Sequence, residues 1–185
     1  MLALTSCANF SRDCSSVLYV GVPDQKMELR QNGLRVAVYP VSTSKFGLGD
    51  QPGSNCTPLG EHEIAQKVGG GQPSGMKFKS RRPTGEIVPP NSPGRDPIVS
   101  RILWLRGLES CNAHAYERYI YIHGTPEESL VGQPKSYGCI RMRSADVIDL
   151  YDRVGRGAKV IILNQPLAEL PQPSSPSMAC TGGPQ

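Results

Sequence analysis

Along most of this chain apolar and polar positions alternate, and the alternation is interrupted every few residues by Gly, Pro or Asn. A period of two puts successive side chains on opposite faces of a sheet, so the pattern predicts strands. Residues 17–22 form a β-type apolar run closed by the turn Pro23-Asp24. Residues 27–30 alternate, and Gln31-Asn32-Gly33 carries the Asn-Gly hairpin signal. The chain returns over 34–41 with Val36, Val38 and Pro40 on one face, and Pro40 confines the end of that strand to a sheet edge. Further strands are predicted at 61–68, 76–78, 98–105, 119–122 and 159–163. The period changes once. Over 144–154, Val147, Leu150, Tyr151 and Val154 make a helical stripe, with Ser144 as the expected N-cap, Asp146 in the first turn, and Gly155 and Gly157 ending it. The expected fold is mainly β, a barrel or sandwich of about eight strands with one helix.

The same pattern sets the boundaries. Residues 1–16 are small and polar and read as a tail or linker; 17–164 read as one domain; 165–185 turn to Pro, Ser and Gly and read as a disordered tail. Two long loops, 42–60 and 80–97, interrupt the domain, and loops of that length usually carry function. The second holds Arg81, Arg82, Arg95 and Asp96; with Trp104 and Arg106 it either walls a cleft or is simply solvated.

Composition narrows the function classes. The 185 residues carry a formal net charge of +4, with Lys and Arg scattered and no basic run longer than Arg81-Arg82. That excludes a nucleic-acid footprint; a mild positive bias suits a carboxylate-rich ligand or plain solubility. The six cysteines, at 7, 14, 56, 111, 139 and 180, are too few for a disulfide scaffold. Cys7 with Cys14, or Cys56 with Cys111, are possible pairs that spacing does not decide. No stretch approaches the ~20 apolar residues of a membrane span. Leu4-Thr5-Ser6-Cys7 has the small-residue pattern that precedes a lipid-modified cysteine, so Cys7 would be a membrane tether in a longer precursor.

The chemistry concentrates between Tyr121 and Met142. His123 follows directly on an apolar strand, so its ring can face a cleft. Cys139 follows Gly138, which allows a tight backbone beside the sulfur and close approach of a carbonyl. A thiol with a pKa of about 8.5 is only a few per cent thiolate at neutral pH. A neighbouring imidazolium would stabilise the thiolate and later protonate a leaving amine, so a Cys–His pair is the minimum set for acyl transfer. Backbone N–H groups at Gly138 and Cys139 are candidates for an oxyanion hole. Taken singly, each residue reads as well as a buried thiol or a satisfied strand-end histidine.

His123-Gly124, a gap, then Cys139 within Ser-x-Gly-Cys-Ile-Arg-Met, a helix and a Gly-x-x-Val strand resemble the L,D-transpeptidase catalytic domain of the YkuD type. Asp24-Gln25-Lys26-Met27, Tyr39-Pro40-Val41-Ser42-Thr43-Ser44 and Thr57-Pro58-Leu59-Gly60 are similar to that family's opening hairpin and its Thr-Pro-x-Gly loop. The resemblance implies a Cys139 thioester with a peptidoglycan stem tetrapeptide, passed to an amine of a neighbouring stem, without a cofactor. It implies that His123 serves as base and then acid, with the Gly124 carbonyl as third element of the triad. It implies that Ser136 holds the loop or a substrate group, and that Arg141 braces the site or pairs with a stem carboxylate, bracing being favoured. The family often has His where this chain has Tyr137, which puts acceptor choice in question; Tyr137 either alters substrate packing or offers its phenol to the oxyanion. Peptidoglycan stem peptides as partner and the bacterial cell envelope as location follow from the same resemblance. Within this chemistry, water as acceptor would make an L,D-carboxypeptidase, and an amidase on the same linkage is a further option. Two rivals from other classes are a zinc site built on Cys111-x-x-His114 with His123 and Cys139, and a catalytically idle wall-binding module.

Overall fold

The computed structural model describes residues 12–170. Ten strands and one α-helix follow one another: β1 (Ser16–Gly21), β2 (Lys26–Gln31), β3 (Leu34–Pro40), β4 (Gly60–Val68), β5 (Met76–Lys79), β6 (Arg82–Ile87), β7 (Val99–Gly107), β8 (Tyr121–Gly124), β9 (Ile140–Met142), α1 (Ser144–Arg153) and β10 (Lys159–Leu163). The strands form one sheet in the order β3-β2-β1-β10-β4-β7-β5-β6, and β8 joins β7 to β9. Two pairings are parallel, β1 with β10 and β8 with β9.

The central strand is β7. It pairs with β4 along one edge and with β8 along the other. Its alternation serves two cores. Leu103 and Leu105 face the main core with Ile122, Ile140, Met142 and the helical Val147 and Leu150. Ile102 and Trp104 face a second cluster with Met76, Phe78 and Tyr121, against which Cys139 packs. Burial on both faces explains why residues 98–105 read as a nearly unbroken apolar run. The fold is mainly β, as expected.

The structure revises several local expectations. Ten strands replace about eight. One addition, β6, lies inside the expected loop 80–97; all its residues are exposed, so no apolar alternation marks it. The other, β9, is only three residues long. On β3, register places Ala37 against Leu29 and Tyr39 against Met27. Leu34, Val36 and Val38 consequently stay on the outer face, 41–48% exposed. Tyr119 has a φ of +58°, so β8 begins at Tyr121 rather than at residue 119. Ser144 is the first helical residue, not the N-cap, which is Arg143. The Ser144 N–H donates instead to the Glu128 carboxylate (2.8 Å), which also suits the positive end of the helix dipole. Past residue 164, Leu167 and Leu170 are buried and the Leu167 N–H donates to Asp24 (2.6 Å), so packing continues to the end of the described residues.

Cys14, Cys56, Cys111 and Cys139 are free thiols, so Cys56 and Cys111 are not paired. Cys7 and Cys180, and with them the tether expected at Cys7, lie outside the described residues. Among the described residues no helix is long and apolar enough to cross a membrane.

Candidate active site

The parallel register of β8 and β9 places His123 opposite Arg141 and Ile122 opposite Ile140. Parallel partners point the same way. Ile122 and Ile140 therefore face the main core, while His123 and Arg141 face the other side, and Tyr121 and Cys139, two residues earlier, share that side. At ~3.3 Å per residue and ~4.8 Å between strands, His123 and Cys139 stand ~8 Å apart at Cα. No hydrogen bond joins the thiol to the imidazole. The Cys139 thiol instead donates to Tyr119 O (3.4 Å) and accepts from Tyr121 N–H (3.4 Å). Such contacts commonly tighten only when substrate is bound.

His123 is nearly buried, 4% exposed. Its Nδ1 lies 2.9 Å from Gly124 O. A carbonyl only accepts, so Nδ1 carries the hydrogen and Nε2 is left as the acceptor. Gly124 is required sterically: a Cβ there would come within 2.5 Å of Val99 O. Burial is the main influence that holds the His123 pKa below its ordinary value; the Gly124 carbonyl and Asp96 oppose it, and Arg141 adds to it. Burial likewise pushes the Cys139 thiol up to about 11, against the Tyr121 N–H and the charges of Arg141 and Arg118. Both shifts favour the uncharged forms, a thiol and an acceptor imidazole.

The cysteine loop is held by buried hydroxyls. Ser136 Oγ donates to Cys139 O (2.6 Å) and accepts from Gly138 N–H (3.3 Å), so Ser136 holds the loop. Thr57 Oγ1 donates to Gly138 O (3.0 Å) and accepts from Ser44 N–H (3.0 Å), which clamps the loop to residues 42–60. Gly138 has a φ of +114°, and its Cα faces Cys56 O, 3.2 Å from where a Cβ would lie. Of the two expected oxyanion donors, Gly138 N–H is already engaged by Ser136 Oγ.

Arg141 is bound by two carboxylates, Asp96 and Glu127, each at 2.8 Å, and its side chain is 6% exposed. Asp96 also accepts from Thr125. The pair ties the 80–97 loop to β9, which is the bracing geometry. Tyr137 is 57% exposed. Its hydroxyl accepts from Lys45 Nζ (3.0 Å) and its ring contacts Phe46 at 5.4 Å. The phenol is thus directed at Lys45. Arg81 lies over Trp104 (4.6 Å) and Tyr119 (5.3 Å) and donates to Tyr121 OH (3.4 Å), so this part of the long loop lies against the aromatic cluster of Trp104, Tyr119 and Tyr121.

Several contributors were not singled out from sequence. Tyr119 supplies the carbonyl that receives the thiol hydrogen; Glu127 holds Arg141 together with Asp96, which the sequence marked only as a residue of the long loop. Arg118 donates to Asp50 (2.7 Å) and Cys56 O (2.7 Å) and lines the pocket of Cys139. None sits in a recognisable spacing, and only the pairing of distant segments identifies them. Cys111 and His114 lie beside Asp50 in a separate pocket from Cys139. Among the described residues no group of three or more His, Cys, Asp or Glu side chains is arranged to hold a metal ion.

Comparison with known proteins adds the following. The sequence model of the L,D-transpeptidase catalytic domain, YkuD, matches residues 15–162. A curated Escherichia coli K12 protein, the probable L,D-transpeptidase YcfS, is 37% identical over 68 residues, which is 37% of this chain and 21% of that protein. The L,D-transpeptidase of Xylanimonas cellulosilytica superposes with a TM-score of 0.52 at 18% identity, covering 83% of this chain and 62% of that one. L,D-transpeptidase 3 of Mycobacterium tuberculosis, solved with a faropenem-derived adduct, gives 0.51 at 19%, covering 82% and 60%. This chain therefore spans about a fifth of the curated relative and about three fifths of these solved chains. At such identities the structural likeness speaks to the fold.

Proposed function

The chain belongs to the L,D-transpeptidase catalytic-domain family, and from that premise we propose that it is a peptidoglycan L,D-transpeptidase of the bacterial cell envelope with Cys139 as nucleophile. The observation that carries the reading is the shared face of β8 and β9, with Cys139 in a cleft and His123 tautomerically set by Gly124 O. Attack of Sγ on the carbonyl of the L-centre of a stem tetrapeptide forms the C–S bond as the thiol proton passes to His123 Nε2. The tetrahedral intermediate expels the terminal D-alanine amine, which takes that proton from His123. An amine of a neighbouring stem then attacks the thioester, loses its proton to His123 and releases the Cys139 thiol. Cys139 N–H stabilises the oxyanion. Gly124, Ser136, Gly138 and Arg141 position the reacting pair, and Tyr137 shapes the cleft. No step calls for a cofactor.

The test is product analysis by mass spectrometry. The protein is incubated with disaccharide-tetrapeptide, with and without a D-amino acid, beside Cys139→Ala. A cross-linked dimer or an exchanged terminal residue that disappears in the variant supports the reading. Tripeptide alone assigns an L,D-carboxypeptidase, and equal product from Cys139→Ala refutes the nucleophile.

A further inference from the structure

Tyr137 separates two pockets. On one side is the pocket of Cys139, about 190 Å³, with Gly53, Asn55, Arg118 and Ile120. On the other is a larger one, about 500 Å³, whose charged lining is Lys45, Arg95, Asp96, Glu127, Lys135 and Arg141. The charges do not cancel. Asp96 and Glu127 are both engaged by Arg141. Lys45 reaches Tyr137 OH and its ring, neither of which is anionic. Arg95 and Lys135 have no ion-pair partner among the described residues. Three cations thus converge on a concave surface one residue wide away from the nucleophile, in a chain whose charges are otherwise mixed. Concave walls focus the field of such a cluster. Arg95 comes from the 80–97 loop, Lys45 from the 42–60 loop and Lys135 from the segment leading to Cys139, so three separate segments supply the charge.

We propose that this pocket is a carboxylate-binding subsite through which Lys45, Arg95 and Lys135 select the acyl donor by a free carboxylate lying on the far side of Tyr137 from the scissile bond. The proposal rests on the transpeptidase reading and specifies its substrate. A donor crossing Tyr137 places its reacting carbonyl at Cys139 and an anionic group among the cations. The Arg141–Asp96–Glu127 set, one cation between two carboxylates, lines the same pocket and ties the 80–97 loop to β9, and with Lys45, Arg95 and Lys135 the pocket keeps an excess of positive charge.

The experiment compares wild type with Arg95→Ala/Lys135→Ala, neither residue touching the reacting pair. Donors are a tetrapeptide with all carboxylates free, one with its internal carboxylate amidated, and one with its terminal carboxylate amidated. Turnover is followed by mass spectrometry, and binding to the Cys139→Ala background by calorimetry. The expected result is a rise in KM and Kd of about tenfold for the free donor in the double variant, with kcat little changed, since two solvent-accessible charge contacts are lost. One amidated donor should bind wild type about tenfold more weakly and be insensitive to the substitutions, and that donor identifies the carboxylate. If wild type turns over all three donors equally, or the double variant weakens them equally, the subsite is overturned and the transpeptidase stands. If wild type neither binds nor turns over any donor, the functional reading falls as well.

Discussion

Arg141 is the most informative position to perturb, because two roles for it make opposite demands. Its guanidinium is 6% exposed and held by Asp96 and Glu127, which are 14% and 34% exposed. Arg141→Met removes the cation and leaves both carboxylates facing an apolar side chain. Breaking a buried pair from one side costs about 3–5 kcal/mol. Glu127 can turn to solvent, which favours the lower end, about 3 kcal/mol. For a domain of this size that is a fall in Tm of about 6–12 °C. Arg141→Lys cannot fork between two carboxylates and should lose about 1–2 kcal/mol. Adding Asp96→Asn and Glu127→Gln to Arg141→Met should return most of the loss, because the uncompensated charge is what destabilises. Calorimetry and guanidinium unfolding measure these values, with peptide KM taken on the same variants. A loss under about 1 kcal/mol for Arg141→Met, paired with a large rise in KM, would refute the bracing role and make Arg141 a substrate contact.

The remaining expectations concern protonation and the cysteine loop. With burial holding its pKa at about 11, the Cys139 thiol should react with iodoacetamide about two decades more slowly at pH 7 than a cysteine peptide of ordinary pKa. The rate should still be climbing above pH 9; a plateau near pH 7 would instead reveal a thiolate–imidazolium pair. His123→Ala should lower the rate of acyl-enzyme formation by about 10²–10⁴-fold while leaving this alkylation profile nearly unchanged, and single-turnover kinetics would show it. Stability should also depend on pH at both ends. The raised Cys139 pKa contributes stability that is intact below about pH 8.5 and lost as pH rises toward 11. The depressed pKa values of His62 and His123 contribute stability that is intact above about pH 6.5 and lost as the unfolded chain takes up protons below it. Denaturant titrations from pH 5 to 10 test both slopes, and Cys139→Ala should remove its share of the alkaline one. Gly138→Ala forces a φ of +114° on a residue whose Cβ meets Cys56 O at 3.2 Å and Ile120 at 3.3 Å. It should cost about 1–3 kcal/mol and slow acylation, whereas a wild-type melting curve would mean the loop relaxes freely.

Alternation, punctuation and one motif determined a good deal about this protein. Period-two runs marked most of the strands, because a residue that is buried on one face and solvated on the other leaves that record in sequence. The Ser-x-Gly-Cys-Ile-Arg-Met stretch and the strand-end His123 pointed to the proposed site, because a nucleophile and its base need particular residue types. Gly124 was legible as a partner of His123 only through family resemblance, since any residue's carbonyl can accept a hydrogen bond. What tertiary structure alone decided depends on segments far apart in the chain. The exposed β6 hairpin has no apolar face to report it. The outward turn of Val36 and Val38 depends on register with β2. Arg141 meets two carboxylates only because Asp96 and Glu127 arrive from two other loops. The protonation bias at Cys139 and His123 was likewise beyond sequence: a Cys–His motif suggests an ion pair, whereas desolvation pushes both groups toward their uncharged forms. Local patterns record which face a residue needs. Which distant group meets it there, and at what dielectric, is fixed only when the chain closes.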